Sequence, residues 1–239
     1  MLDEKQTSSA HSLIISPPTN PTQALDDIEF RLYVALRYHL DVTKHSGLTC
    51  TGCDKGNTTL WHLLRCKKGN AKTRMYIHDR IKYIIGSAIG KNKEVLKVTY
   101  EQYAEGQNEN EKKHIPDIVL SMASGGQEIL DVCVDAKFQN KLYCGLEPTK
   151  GIIRKERQYG TTEVNTIAFD NSGRINTKSW TYLKQMGVSK GVLKYIQCLI
   201  IKANAYIIKN LSKKQKEDST SIVRRQGVPL DEEMLGAMK

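Results

Sequence analysis

Two aspartates, Asp117 and Asp131, are the residues best placed for chemistry in this sequence. Asp131 lies within the apolar run 129–134, and the predicted turn before it, residues 123–126, contains two glycines. Glycine readily adopts the positive φ that a tight loop requires. With a three-residue loop, 123–125, Asp117 falls opposite Asp131 on one face of a hairpin. Two neighbouring carboxylates repel each other, and a shared divalent cation such as Mg²⁺ relieves that repulsion.

The same strand offers a competing pair of catalytic residues. Asp135 and Lys137 fit the acidic-x-Lys half of the PD-(D/E)xK nuclease pattern, with Asp117 as the first aspartate. This register requires a loop of five residues, 124–128, which removes residues from the strand. Lys137 lies roughly 20 Å along the strand from Asp131, so the two arrangements exclude each other. The shorter loop, and hence the pairing of Asp117 with Asp131, is preferred.

A second constellation lies upstream. Cys50, Cys53, His62 and Cys66 have the spacing of a Cys3His zinc site, in which a knuckle supplies two ligands and one helical turn supplies two more. The alternative is three unconnected thiols and a surface histidine, but four ligand residues in so short a segment favour structural Zn²⁺. The other cysteines show no pairing pattern, which predicts reduced thiols and an intracellular protein.

Composition limits the partners. The chain has 239 residues and a formal net charge of +10, which favours a polyanion such as DNA or RNA. No stretch approaches the roughly 20 apolar residues of a membrane span, so no membrane partner is expected.

The chain divides into four predicted segments. Residues 1–25 are rich in Ser, Thr and Pro and predict a flexible leader. Residues 26–70 hold an N-terminal helix and the CCHC knuckle, residues 71–211 an α/β core, and residues 212–239 a polar tail. Within the core, the order of predicted elements gives a mixed central sheet flanked by helices: strands 95–103, 129–138 and 164–169, a strand before the glycine turn, a short helix capped by Thr177, and a long amphipathic helix over 190–211.

The order of these features resembles the restriction-like endonuclease domain (PD-(D/E)xK superfamily) of early-branching non-LTR retrotransposons (LINEs), most closely the Entamoeba type. The resemblance covers roughly residues 28–186. The matching features are an amphipathic segment at 30–40, the CCHC knuckle, His78-Asp79, Pro116-Asp117 to Asp131, Lys155 with Tyr159, and the strand 164–169. The chain departs from the pattern in having Ile77 where a basic residue is usual, a three-residue His-to-Cys gap, and a lysine farther from Asp131.

The resemblance implies a metal-dependent DNA endonuclease with a restriction-endonuclease-like core. Asp117 and Asp131 would hold Mg²⁺ or Mn²⁺, with Lys155, Tyr159 and His78 around them. Lys155 is preferred to Lys137 as the catalytic lysine. The nick would leave a 3′ hydroxyl that primes reverse transcription in the nucleus, together with a reverse transcriptase and the element's RNA.

Two other classes of function compete with this one. A non-catalytic zinc-knuckle module would bind DNA or RNA through the knuckle and the basic surface, leaving the aspartates incidental. An interaction or structural protein built around the knuckle would show no salt-dependent affinity for DNA.

Overall fold

The structure, a computed structural model, describes residues 24–38, 40–41, 48–56, 58–103, 114–135, 149–159 and 163–226. The described residues form six helices and four strands in an α/β arrangement. Their bounds are α1 Asp27–Arg37, α2 Leu60–Arg65, α3 Lys67–Ile89, β1 Val95–Tyr100, β2 Ile118–Met122, β3 Gln127–Asp135, α4 Thr149–Tyr159, β4 Asn165–Asp170, α5 Thr177–Gln185 and α6 Lys190–Gln226.

The four strands form one mixed sheet in the order β1-β2-β3-β4. The first three strands are antiparallel, and β4 runs parallel to β3. Parallel neighbours require a crossover connection, and α4 lies in the chain between β3 and β4. The predicted mixed sheet flanked by helices is therefore confirmed.

The hairpin of β2 and β3 has the predicted register. Ile118 pairs with Leu130, and the Met122 amide donates to the Gly126 carbonyl at 2.8 Å, which closes the three-residue loop. Gly125 within that loop has a φ of 88°, a conformation that side chains other than glycine disfavour. The competing five-residue loop is wrong, because β3 continues the ladder to Gln127 and aligns Asp135 with Asp170 of β4.

Side chains of helices pack on both faces of the sheet. Alternate residues of β3 point to opposite faces. On one face Leu130 and Val132 pack with apolar residues of α3, α5 and α6. The α3 contribution repeats every fourth residue, at Ile77, Ile81, Ile85 and Ile89. On the other face a smaller cluster joins Ile129 to Tyr159 of α4, together with Val119 and Val164. Asp131 and Cys133 share this second face.

Several helix boundaries differ from the predictions. Asn176, rather than Thr177, caps α5, because its Oδ1 accepts from the Lys178 and Ser179 amides. Helix α6 continues to Gln226 instead of ending near residue 211. Within it, Lys190–Asn210 is long and apolar enough for a membrane span, contrary to the expectation that no such stretch exists. However, 56% of that apolar window is buried, as in a core helix of a globular protein.

The chain folds as two compact units. One contains the described residues up to Leu40 and Ala71–Ala205, and so holds the sheet with α1, α4, α5 and most of α3. The other contains the described residues of Asp41–Asn70 and those from Tyr206 onward. The paired aspartates lie in the first unit, and the predicted knuckle lies in the second.

Candidate functional site

The candidate site lies at the start of β2, beside the part of β3 that extends past it. Since β2 starts at Ile118, the part of β3 beyond Leu130 is not paired with β2. The Val132 amide instead donates to Oδ2 of Asp117 at 2.7 Å. Because Asp117 is next in register to Ile118, it comes opposite Asp131, as predicted. The end of the hairpin therefore brings the two carboxylates together.

Helix α3 adds His78 to the same place. Its Nε2 lies 3.1 Å from Oδ2 of Asp117 and 3.2 Å from the carbonyl oxygen of Val132. Its Nδ1 lies 3.3 Å from Oδ1 of Asp79. Both ring nitrogens thus face acceptors, an arrangement that only the doubly protonated ring satisfies. The hydrogen bond with Asp117 raises the pKa of His78 against the opposing effect of burial.

Helix α4, which packs on the opposite face of the sheet from α3, adds two more side chains. Lys155 Nζ lies 2.8 Å from Oδ2 of Asp131, and Tyr159 is buried one helical turn later. Burial, followed by the nearby charge of Asp131, raises the pKa of the Tyr159 hydroxyl. Tyr159 therefore stays a neutral phenol at the edge of the site.

The two aspartates have opposite electrostatic environments. Burial is the largest single effect on the pKa of Asp117 and raises it, but hydrogen bonds with His78, Asp131 and the Val132 amide and the charge of His78 together hold that pKa below its ordinary value. Burial and then the proximity of Asp117 raise the pKa of Asp131 to about 7, although Lys155 opposes the shift. Near neutral pH the pair therefore holds an ionised Asp117 and an Asp131 close to half-protonated.

The donor set is suitable for a cation. One ligand atom each from His78, Asp117 and Asp131 lies within 4.8 Å of the others. Asp131 is only 1% exposed. Apart from its ion pair with Lys155, neither of its oxygens has a hydrogen-bond donor among the described residues. Carboxylate oxygens are the ligands that Mg²⁺ and Mn²⁺ prefer, so the two aspartates could hold such an ion.

The predicted Cys3His residues also come together. One ligand atom each from Cys50, Cys53, His62 and Cys66 lies within 4.8 Å of the others, and Cys53 Sγ is 3.2 Å from His62 Nε2. Thr59 caps the short helix that presents the last two ligands. Four such ligands are typical of a closed structural site, so this cluster could hold a metal ion such as zinc.

The backbone around the cluster is unusually close. An added Cβ on Gly52 would lie 2.2 Å from the Gly69 nitrogen, so only glycine fits. Burial raises the pKa of Cys66. Hydrogen bonds, of which the one from the Gly69 amide has the largest effect, together lower that pKa below its ordinary value. A lower thiol pKa favours the thiolate, the form that binds metal.

The structure brings most of the predicted site residues into two groups. One group contains the side chains of Asp117, Asp131, Lys155, Tyr159 and His78. The other contains the four knuckle residues. The backbone of Asp135 lies farther along β3, and Lys137 lies outside the described residues.

Sequence reasoning missed a network beside His78. Lys82, only 1% exposed, bridges Asp79 and Glu101, so Glu101 pairs with a lysine and does not join the aspartates as a further ligand. Asp79 contacts both His78 and Lys82, which ties the ring to this ion pair. The spacing of residues 78 and 82 by one helical turn was the available signal.

Comparison with known proteins does not extend this description: no known protein-family profile and no curated protein matches the sequence.

Proposed function

We propose that this protein is a metal-dependent endonuclease that nicks DNA. The observation that supports the proposal is the meeting of Asp117, Asp131, Lys155 and His78, brought from a hairpin and two helices to one end of the sheet. A buried pair of carboxylates flanked by a lysine is a poor choice for stability alone, because burying charge is costly. It is well suited to hold a cation against a phosphodiester.

Each residue of the site has a role that its position allows. Asp117 and Asp131 supply the oxygen ligands for Mg²⁺ or Mn²⁺, an ion that polarises a phosphoryl oxygen and acidifies water when bound. Lys155 orients the attacking water or offsets charge on the phosphorane. His78 is fixed by Asp79 and contacts the phosphate backbone, and Tyr159 packs against Asp131 and positions the strand.

The wider proposal follows from the resemblance described above. The core is of the restriction-endonuclease type, and the products are a 5′ phosphate and a 3′ hydroxyl. That hydroxyl would prime reverse transcription of a LINE-type element in the nucleus, with a reverse transcriptase and the element's RNA as partners. The Cys3His cluster binds structural Zn²⁺, which four protein ligands leave with no open position for catalysis.

A supercoiled-plasmid assay tests the proposal. Wild-type protein is expected to nick in Mg²⁺ or Mn²⁺ and not in Ca²⁺ or without added cation. Asp117→Asn and Asp131→Asn should each lower the nicking rate by at least about 10²-fold. Asp135→Asn is the matched control, because it removes a carboxylate from the same strand and should keep activity. Extension of the nick by a DNA polymerase checks for the 3′ hydroxyl.

Two results would contradict the proposal. Nicking that survives in Asp117→Asn would come from a contaminating nuclease. Equal losses in Asp135→Asn and Asp131→Asn would remove the assignment of Asp131.

A second candidate function is a non-catalytic zinc-knuckle module that binds nucleic acid. The complete Cys3His ligand set and the net charge of +10 favour it. It predicts salt-dependent DNA binding with no nicking in any divalent cation, an outcome that the same plasmid assay distinguishes.

A further inference from the structure

A cleft of about 280 Å³ adjoins the paired aspartates. His78 and Lys155 line it and also contact the carboxylates. The cleft and the candidate metal centre are therefore continuous. Neither a predicted motif nor the proposed chemistry assigns a role to its remaining residues.

The charge of the cleft is of one sign. Arg74, Arg154 and Lys155 line it, and among the described lining residues there is no Asp or Glu. Such a site attracts an anion, and the arginine guanidinium matches the geometry of phosphate. The aspartates next to it would repel an anion unless a cation is bound. The cleft thus suits an anionic group that enters together with the metal ion.

The two arginines approach from different helices. Arg74 is one turn before His78 on α3, so the two share a face of that helix. Arg154 precedes Lys155 on α4, and its Nη2 contacts Cys133 Sγ at 3.3 Å. One arginine therefore comes from each of the two helix layers that cover the sheet.

A buried amide gives independent evidence of a ligand. Asn171 lines the cleft and is only 4% exposed. Its Nδ2 is buried with no hydrogen-bond acceptor among the described residues. Leaving a buried donor unpaired costs about 1–3 kcal/mol, so an acceptor supplied by a ligand would remove that cost. By contrast, the neighbouring Asn204 already donates to the Asn171 carbonyl.

The lining of the cleft also includes apolar side chains. Met75, Val134 and Ile200 contribute to it. A ligand with an anionic group, hydrogen-bond acceptors and an apolar body matches this lining, and a nucleotide has all three.

We propose that this cleft binds the nucleotide next to the scissile phosphate, with its own phosphate held between Arg74 and Arg154. Asn171 Nδ2 donates to an oxygen of the same nucleotide, and its sugar or base packs on the apolar side chains. The inference rests on the proposed nuclease function and names three residues that position the substrate.

DNA binding in Ca²⁺ tests this directly, using a labelled DNA strand and no cleavage. Arg74→Gln and Arg154→Gln should each weaken binding by about tenfold. Each should also lower the slope of log affinity against log salt by about 1. Arg80→Gln is the matched control, because Arg80 is an exposed arginine on the same helix and does not line the cleft. Asn171→Ala should weaken binding without changing the salt slope.

Nicking kinetics in Mg²⁺ give a second readout. The arginine variants should raise KM more than they lower kcat, as expected of residues that hold substrate before the transition state. Effects of Arg74→Gln and Arg154→Gln no larger than that of Arg80→Gln would overturn the inference. If wild type binds through these arginines but never nicks, the cleft assignment stands as a nucleotide site and the nuclease proposal fails.

Discussion

The two aspartates at the candidate site have different surroundings. Asp117 accepts a hydrogen bond from a backbone amide and forms another with the His78 ring. Asp131 is almost wholly buried and forms an ion pair with Lys155. Hydrogen bonds stabilise the charged form of a carboxyl group, and burial disfavours it. The pKa values of the two acids are therefore separated, and a divalent cation can replace the proton that Asp131 holds.

This separation predicts how stability depends on pH. The pKa of Asp131 is about 4 in an unfolded chain and about 7 in the folded protein. Between these values the folded protein holds a proton that the unfolded chain has released, so the free energy of unfolding falls as pH rises. Asp117 acts in the opposite sense only below about pH 4. Denaturation of wild type and Asp131→Asn, without added divalent cation, measures the difference. Parallel pH profiles would contradict the assignment.

Lys155 gives a second prediction at this scale. Lys155→Met should lower kcat by about 10²-fold, because it removes the cation that faces the reacting phosphate. Arg157→Met, an exposed cation on the same helix, should have little effect. Single-turnover nicking with thermal melts of each variant separates lost catalysis from lost folding. An equal effect of the two variants would show that only helix charge matters.

Among the elements, the hairpin of β2 and β3 has the largest influence on the site. Its loop length determines which residue lies opposite Asp117, since a slip of one residue turns every side chain to the other face. Because β2 begins just after Asp117, the Val132 backbone does not pair with β2. Its amide donates to Asp117, and its carbonyl oxygen lies next to the His78 ring. The site thus depends on both the register of the hairpin and the place where its pairing stops.

The turn glycines allow a matched test of this dependence. Gly125→Val should lower the free energy of unfolding by about 1–2 kcal/mol, because Gly125 has a φ of 88°. Gly126→Val should change it by less than about 0.5 kcal/mol, since no positive φ is recorded there and an added Cβ has open space. Urea denaturation compares the two. A larger loss at Gly126 would contradict the observed loop.

In the whole molecule, each of the two units contains a different kind of candidate metal site. One unit holds an oxygen-rich centre suited to Mg²⁺ or Mn²⁺, and the other holds a sulfur-rich cluster suited to Zn²⁺. The formal charge of +10 favours a polyanionic partner. It does not by itself distinguish catalysis from binding.

The sulfur cluster predicts the zinc content of the protein. Wild-type protein purified without chelator should contain about one zinc ion per chain, since the described residues form one Cys3His set. Cys53→Ser should lose the zinc, while Cys198→Ala, which alters a buried cysteine outside the cluster, should keep it. Elemental analysis measures both. Zinc retained by Cys53→Ser would contradict the proposed ligand set.

Local patterns made several features predictable. The glycines and apolar alternation around residues 123–134 were enough to predict the hairpin register, because a tight turn constrains its neighbours directly. The Cys3His spacing predicted that cluster for the same reason. Helix ends were less predictable: Asn176 took the cap expected of Thr177, and α6 extends past its expected end. Caps depend on which neighbouring side chain reaches the free amides.

The sequence by itself therefore determined the two aspartates, their pairing across a short turn and the order of the metal-ligand types. Only the tertiary structure decided that His78 contacts Asp117 across 39 residues, that Lys155 reaches Asp131, and that Arg74, Arg154 and Asn171 line one cleft. Spacing along a chain fixes contacts only within a turn of helix or a tight hairpin. Contacts between distant segments depend on how helices pack on the sheet, which is a property of the whole core.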